Sequence, residues 1–118
     1  MRPRSSLLAL AVLAALASAP AAQAKNCFSQ DEAESFGVSY VTSLTAKNTP
    51  CRNAKAVVRA YHKCRKANGG KKGRCPKTTS VLGYRCTERR SSISTQITGK
   101  ATCRKGDRRV VHTYTQFT

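Results

Sequence analysis

Apolar and polar residues recur with a helical period in one part of the chain and alternate in others. The helical part begins after Asn48-Thr49-Pro50, a typical helix start, and ends at Asn68-Gly69-Gly70, a typical stop. At 100° per residue its apolar positions form one stripe, made of Ala54, Val57, Val58, Tyr61 and Cys64. Basic residues fall on the opposite side, which predicts an amphipathic helix packed on a sheet.

Alternation between apolar and polar positions predicts the strands of that sheet. Residues 35–44 show the period-2 pattern of a half-buried strand, with one apolar side made of Phe36, Val38, Tyr40 and Leu44. Residues 80–87 and 93–103 also carry their apolar residues on one parity, and residues 109–117 are rich in β-branched and aromatic residues. Lys105-Gly106-Asp107-Arg108 predicts a hairpin turn. The predicted fold is α+β: one strand, then one amphipathic helix packed on a three-strand antiparallel β-meander.

Residues 1–24 have the composition of an export signal. Arg2 and Arg4 precede an apolar run of 11 residues, and Ala22-Gln23-Ala24 is a small-residue cleavage site. The run is shorter than the roughly 20 residues that a membrane-spanning helix needs. We therefore expect residues 1–24 to be removed. Residues 25–118 would then form one secreted domain without a transmembrane segment, extracellular or associated with the cell envelope.

The six cysteines of an exported chain of this size indicate three disulfides. Consecutive cysteines are at least 11 residues apart, whereas zinc ligands usually come in pairs two to four residues apart, so we expect no metal ion and no cofactor. A helix antiparallel to residues 80–87, with a hairpin centred near residue 90, predicts the pairs Cys51–Cys86, Cys64–Cys103 and Cys27–Cys75. A local alternative pairs Cys64 with Cys75 and Cys27 with Cys103.

Four segments combine cysteines with packing residues in a recognisable order. They are Cys51-Arg-Asn-Ala54-Lys-Ala-Val57-Val58-Arg-Ala-Tyr61, Gly83-Tyr84-Arg85-Cys86, and Cys103-Arg-Lys-Gly106 with Arg109-Val110-Val111-His112-Thr113-Tyr114. This order resembles a group of small secreted bacterial proteins of uncharacterised function. The resemblance covers roughly residues 51–114. It implies a compact helix-on-sheet domain with paired cysteines, and it implies no activity.

The chain is strongly basic, with a formal net charge of +17, and the loss of Arg2 and Arg4 would leave 17 − 2 = +15. Such a charge attracts polyanions through long-range fields and counterion release. Its density is highest at the end of the predicted helix and in a glycine-rich, flexible loop over residues 68–79. The eight cations there are Arg59, Lys63, Arg65, Lys66, Lys71, Lys72, Arg74 and Lys77. We expect a monomer whose basic surface binds an anionic polymer or surface, such as a cell-wall polymer, phospholipid headgroups or nucleic acid.

Three other interpretations of these residues stay open. The basic face could serve solubility alone. A small ribonuclease would need two imidazoles beside a phosphate, and His62 and His112 are the two histidines of the chain; the simpler interpretation makes His62 a surface residue and His112 a partly buried one. A protease inhibitor or protein-binding module would present the loop 68–79. The chain has no Gly-x-Ser-x-Gly, phosphate-binding Gly-rich loop or His-Glu-x-x-His motif, so no catalytic residue is assigned.

Overall fold

A helix packs on one face of a five-strand antiparallel sheet in the computed structural model, which describes residues 23–118. The elements are β1 (Lys25–Asn26), a 3-10 turn (Gln30–Glu32), β2 (Tyr40–Lys47), α1 (Cys51–Ala67), a second 3-10 turn (Gly70–Lys72), β3 (Arg85–Ile93), β4 (Gln96–Lys105) and β5 (Arg108–Phe117). The strand order is β1-β2-β5-β4-β3. The predicted α+β fold is confirmed, with one more strand than expected because Lys25–Asn26 pairs with β2. The predicted export signal lies outside the described residues, apart from Gln23 and Ala24.

The helix α1 has the bounds that its start and stop signals predict. Of the predicted apolar stripe, four members are buried and Cys64 is half-buried. The stripe also contains His62 and Arg65, both fully buried. These positions follow Val58 at the i+4 and i+7 spacing of one helix face, so α1 buries polar side chains where its sequence predicts an exposed flank.

The strand β2 begins at Tyr40 because residues 33–39 form turns and bends. Its pairing with β5 shifts register between Val41 and Ser43, which changes the parity of the residues that face the helix. Val41 is buried beneath α1, whereas Tyr40 is half-buried on the other side, with its ring centroid 5.6 Å from that of Phe117. The predicted core position of Tyr40 is therefore wrong.

The hairpin of β3 and β4 turns at residues 94–95, not near residue 90. Residues 80–84, which alternation predicts to be strand, instead form a tight turn centred on Leu82-Gly83, and β3 starts at Arg85. The second hairpin turns at Gly106-Asp107, as predicted. With the first turn at 94–95, antiparallel pairing places Cys86 directly opposite Cys103.

Each disulfide joins two cysteines that are consecutive in the chain. The three bonds are Cys27–Cys51, Cys64–Cys75 and Cys86–Cys103. Three disulfides were expected, but the predicted pairs Cys51–Cys86, Cys64–Cys103 and Cys27–Cys75 are wrong. The position of the hairpin turn is the reason, because it brings Cys103 to Cys86 and leaves Cys64 for Cys75 in the loop after α1. Of the local alternative, Cys64–Cys75 is present and Cys27–Cys103 is not.

Candidate functional site

The two histidines of the chain meet inside the protein. Nε2 of His62, on α1, lies 2.8 Å from Nε2 of His112, on β5. Both side chains are fully buried, because the helix lays its polar positions directly on the sheet. The simpler interpretation of the sequence, an exposed His62 and a partly exposed His112, is therefore wrong.

Hydrogen bonds fix the tautomers of the two rings. Nε–H of Arg65 donates to Nδ1 of His62 at 3.0 Å, so this nitrogen carries no proton. Nε2 of His62 then carries the proton and donates to Nε2 of His112. The remaining proton of His112 is on Nδ1, which has no hydrogen-bond partner among residues 23–118. Both rings are neutral.

Burial keeps the rings neutral. Desolvation is the largest cause of the low pKa of His62, and the neighbouring His112 and Arg65 lower this pKa further. Desolvation, with Arg65 in second place, lowers the pKa of His112 to about 3. A ribonuclease places a phosphate between its two imidazoles, but these rings contact each other directly and are closed to solvent. The ribonuclease alternative gains no support from this geometry.

Arg65, predicted as part of the basic surface, is fully buried and has a different role. Its guanidinium lies 4.7 Å from the centroid of the Tyr114 ring. It also donates to the main-chain oxygens of Lys71 at 3.1 Å and Gly73 at 3.2 Å. These acceptors and the ring face replace water around a buried cation. Arg65 therefore holds the loop 68–79 against the helix, and its predicted place on the surface is wrong.

Glu88 is the acid of this buried cluster. It accepts hydrogen bonds from the hydroxyls of Tyr61, at 2.9 Å, and Tyr114, and it pairs with Arg90 at 2.8 Å. Burial, helped by the bond to Glu88, raises the pKa of Tyr114 to about 12. Arg90 also donates to the main-chain oxygen of Gly73 at 2.8 Å. Buried Arg65, half-buried Arg90 and a disulfide thus fasten the loop that its composition predicts to be flexible.

Seven of the eight cations predicted to form a basic surface are exposed. This helix–loop surface consists of Arg59, Lys63, Lys66, Lys71, Lys72, Arg74 and Lys77. Two of its members have partners: Arg59 lies 5.1 Å from the ring centroid of Phe36, and Arg74 is 3.8 Å from Glu88. The other five have no ion-pair partner within residues 23–118.

A second basic surface, which the sequence did not predict, lies on the face of the sheet opposite α1. Four cations stand opposite one another on neighbouring strands: Lys47 and Arg109, Arg109 and Arg104, and Arg104 and Arg85. We name these four residues the cation row. Arg85 and Arg104 are exposed, and Lys47 and Arg109 are half-buried. At about 4.8 Å between strands, the row extends over roughly 14 Å.

A further pair of opposed cations, Arg89 and Lys100, lies four residues along from Arg85 and Arg104. This pair lines a shallow concavity of about 510 Å³, whose lining consists of Lys77, Thr87, Glu88, Arg89, Lys100 and Thr102. The carboxylate of Glu88 makes its hydrogen bonds and its ion pair with Arg90 on the helix side of the sheet. Cations and hydroxyls therefore face this concavity. Between residues 23 and 118, all ion pairs use Glu32 or Glu88, and none includes a member of the cation row.

Residues 23–118 have neither of two other common functional features. No three side chains of His, Cys, Asp or Glu come together there as metal ligands. No helix in this part of the chain has the length and apolar character needed to cross a membrane.

The resemblance to small secreted bacterial proteins stays a prediction that rests on the sequence. Neither protein-family models nor curated proteins nor solved structures give a match to the chain.

Proposed function

We propose that the protein is a secreted, non-catalytic domain that binds anionic polymers by electrostatic contact, with the cation row as its principal site. The observation that carries the proposal is the strand register, which places four cations in line across the open face of the sheet. A polymer laid across the strands would meet the four in succession. Cell-wall polymers and nucleic acid both supply such repeated anionic groups, as does a surface of phospholipid headgroups.

The alignment of the cations favours a binding surface over a general solubility device. Like charges directly opposite on neighbouring strands destabilise a sheet, whereas opposite charges contribute roughly 0.2 to 1 kcal/mol per pair. The cation row contains three such repulsive pairs in sequence. Dispersed charges would keep the protein soluble without this cost. A bound polyanion would neutralise these cations, so ligand binding would offset the repulsion that remains in the folded protein alone.

Secretion is supported by two observations. All six cysteines are paired, which is typical of proteins in oxidising compartments. Residues 1–24 have the composition of an export signal.

Binding to heparin and to a DNA duplex at several salt concentrations tests the proposal. The expected dissociation constant rises steeply with salt, because each neutralised anionic group releases a counterion. Replacing two members of the row, Arg85→Glu and Arg104→Glu together, should lower the slope of log K against log salt by about 2. Absence of salt-dependent binding in the unsubstituted protein would overturn the proposed function.

A matched variant separates the two basic surfaces. Lys71→Glu with Lys72→Glu changes the net charge by the same −4 but alters the helix–loop surface instead of the cation row. We expect the Arg85 and Arg104 variant to lose most of the affinity and the Lys71 and Lys72 variant to lose little. The reverse result would assign binding to the helix–loop surface. Equal losses would mean that net charge alone attracts the polymer, and would refute a defined site.

A protease inhibitor is the second candidate, favoured by one observation. The loop 68–79 is fastened by Arg65, Arg90 and the Cys64–Cys75 disulfide while Lys71 and Lys72 stay exposed. A pre-ordered loop loses little entropy on binding. Inhibition of a trypsin-like protease by oxidised but not reduced protein would support this candidate, and digestion of the oxidised loop would refute it.

A further inference from the structure

Leu82 has an unusual backbone and an unusual environment for a large apolar residue. Its φ is +50°, and its neighbour Gly83 has a φ of +85°. Together they form a two-residue turn closed by reciprocal hydrogen bonds of 2.9 Å between Val81 and Tyr84. Leu82 is 59% exposed. Turns with two positive φ angles favour Asn, Asp or Gly at the first position, so leucine is a poor choice for this one.

The fold gains little from this leucine. A left-handed conformation is unfavourable for a branched side chain, and an exposed side chain contributes little apolar burial to offset that cost. Strain at one residue with no folded-state benefit is a feature of functional positions. The side chain is therefore best explained by what it contacts outside the protein.

Leu82 lies at the rim of a groove between the start of α1 and the turn of the β4–β5 hairpin. The groove has a volume of about 320 Å³ and is lined by Arg52, Asn53, Ala56, Val57, Leu82, Tyr84, Lys105 and Arg108. The apolar members supply a hydrophobic wall. The three cations supply positive charge, and Nζ of Lys105 lies 6.0 Å from the centroid of the Tyr84 ring. This lining includes no acid.

We propose that the groove binds a small amphipathic anion, a molecule with a phosphate headgroup and an alkyl tail. Leu82 and Tyr84 would contact the tail, and Arg52, Lys105 and Arg108 would surround the headgroup. A volume of this size falls at the small end of the range for small-molecule sites. The groove is lined by the helix and the turns, separate from the cation row, so the proposal does not depend on polymer binding.

Titration calorimetry with octyl phosphate, below its micelle concentration, tests the proposal on the oxidised mature chain. Octyl glucoside shares the tail and inorganic phosphate shares the headgroup charge. We expect octyl phosphate to bind at least tenfold more tightly than either. Equal affinity for octyl phosphate and inorganic phosphate would overturn the role of the apolar wall. Binding to anionic vesicles without binding of monomeric octyl phosphate would assign Leu82 to membrane contact and refute the groove.

The variant Leu82→Asn separates a binding role from a packing role. Asparagine suits positive φ, so the variant should melt higher, by about 4 °C for a domain of this size, while its affinity for octyl phosphate falls about tenfold. A lower melting temperature, or unchanged affinity, would overturn the proposal. The matched control is Ile93→Asn, at another exposed apolar residue that ends β3 and does not line the groove; it should leave the affinity unchanged. Heparin binding should be the same in both variants.

Discussion

Acidification from pH 8 to pH 5 should destabilise the protein through its buried histidine pair. In the folded state His62 and His112 stay neutral, because burial holds the pKa of both far below the ordinary value. In the unfolded state both take up a proton as the pH falls through about 6.5. The unfolded chain therefore binds more protons, and stability that is complete above pH 6.5 is lost on acidification.

The size of the loss follows from the proton uptake. A histidine that protonates only when unfolded contributes about 2 kcal/mol of destabilisation between pH 8 and pH 5, and two contribute about 4 kcal/mol. The loss from His112 should continue down to its folded pKa of about 3. A domain of this length has roughly 5 to 15 kcal/mol of stability in total, so the effect is a large part of it.

Urea unfolding of the oxidised chain at half-unit steps between pH 8 and pH 5 measures this loss. The window stays above the range in which most carboxylates titrate. The imidazole resonances of the folded protein, followed by NMR, supply a test that needs no variant. Titration of either ring with a midpoint near 6.5 in the folded state, or a flat unfolding free energy across the window, would refute the assigned burial and tautomers.

Three further changes test the packing around this cluster. Glu88→Gln removes the carboxylate that pairs with Arg90, where both side chains are 7% exposed, and should lower the free energy of unfolding by about 3 kcal/mol. Glu32→Gln, at a surface ion pair, should lower it by less than about 1 kcal/mol. Urea titration measures both losses, and equal losses would contradict the burial of the Glu88 side chain. Gly99→Ala would place a Cβ 2.5 Å from the Tyr114 ring and should cost about 2 kcal/mol, seen as a lower melting temperature; no change would show that the ring is free to move. Replacing the Cys64–Cys75 disulfide with two serines should cost about 3 kcal/mol in the same assay. No loss would show that the arginines alone fasten the loop.

Local sequence signals predicted the helix and the second hairpin, and missed the first hairpin. The start and stop of α1 are encoded within a few residues, as is the turn at Gly106-Asp107. The turn at residues 94–95 is Ser-Thr, which lacks a turn signature. The turn at Leu82-Gly83 places a leucine where turns favour Asn or Gly. The alternation of residues 80–87 therefore resembled a strand. The first hairpin was predicted to turn near residue 90 instead of 94–95, and this error in register gave the wrong cysteine pairs.

The candidate site was predictable only in its charge. Charged side chains are ordinarily solvated, and seven of the eight cations that the sequence grouped together are exposed. Arg65 is on the buried stripe of α1, yet a charged residue is ordinarily predicted to lie on the surface. Its hydrogen-bond acceptors come from the loop after α1, whose conformation the sequence does not reveal. The cation row depends on the register of four strands, which is non-local information.

The pairing of neighbouring cysteines has a consequence for how the protein matures. No bond encloses a cysteine that belongs to another bond, so the three loops are successive and do not interlock. A polypeptide emerging amino-terminus first presents Cys27 and Cys51 before the next pair appears. A thiol oxidase that joins cysteines two by two in their order of emergence would form the native pairs directly. Maturation would then need no isomerase to rearrange wrong bonds.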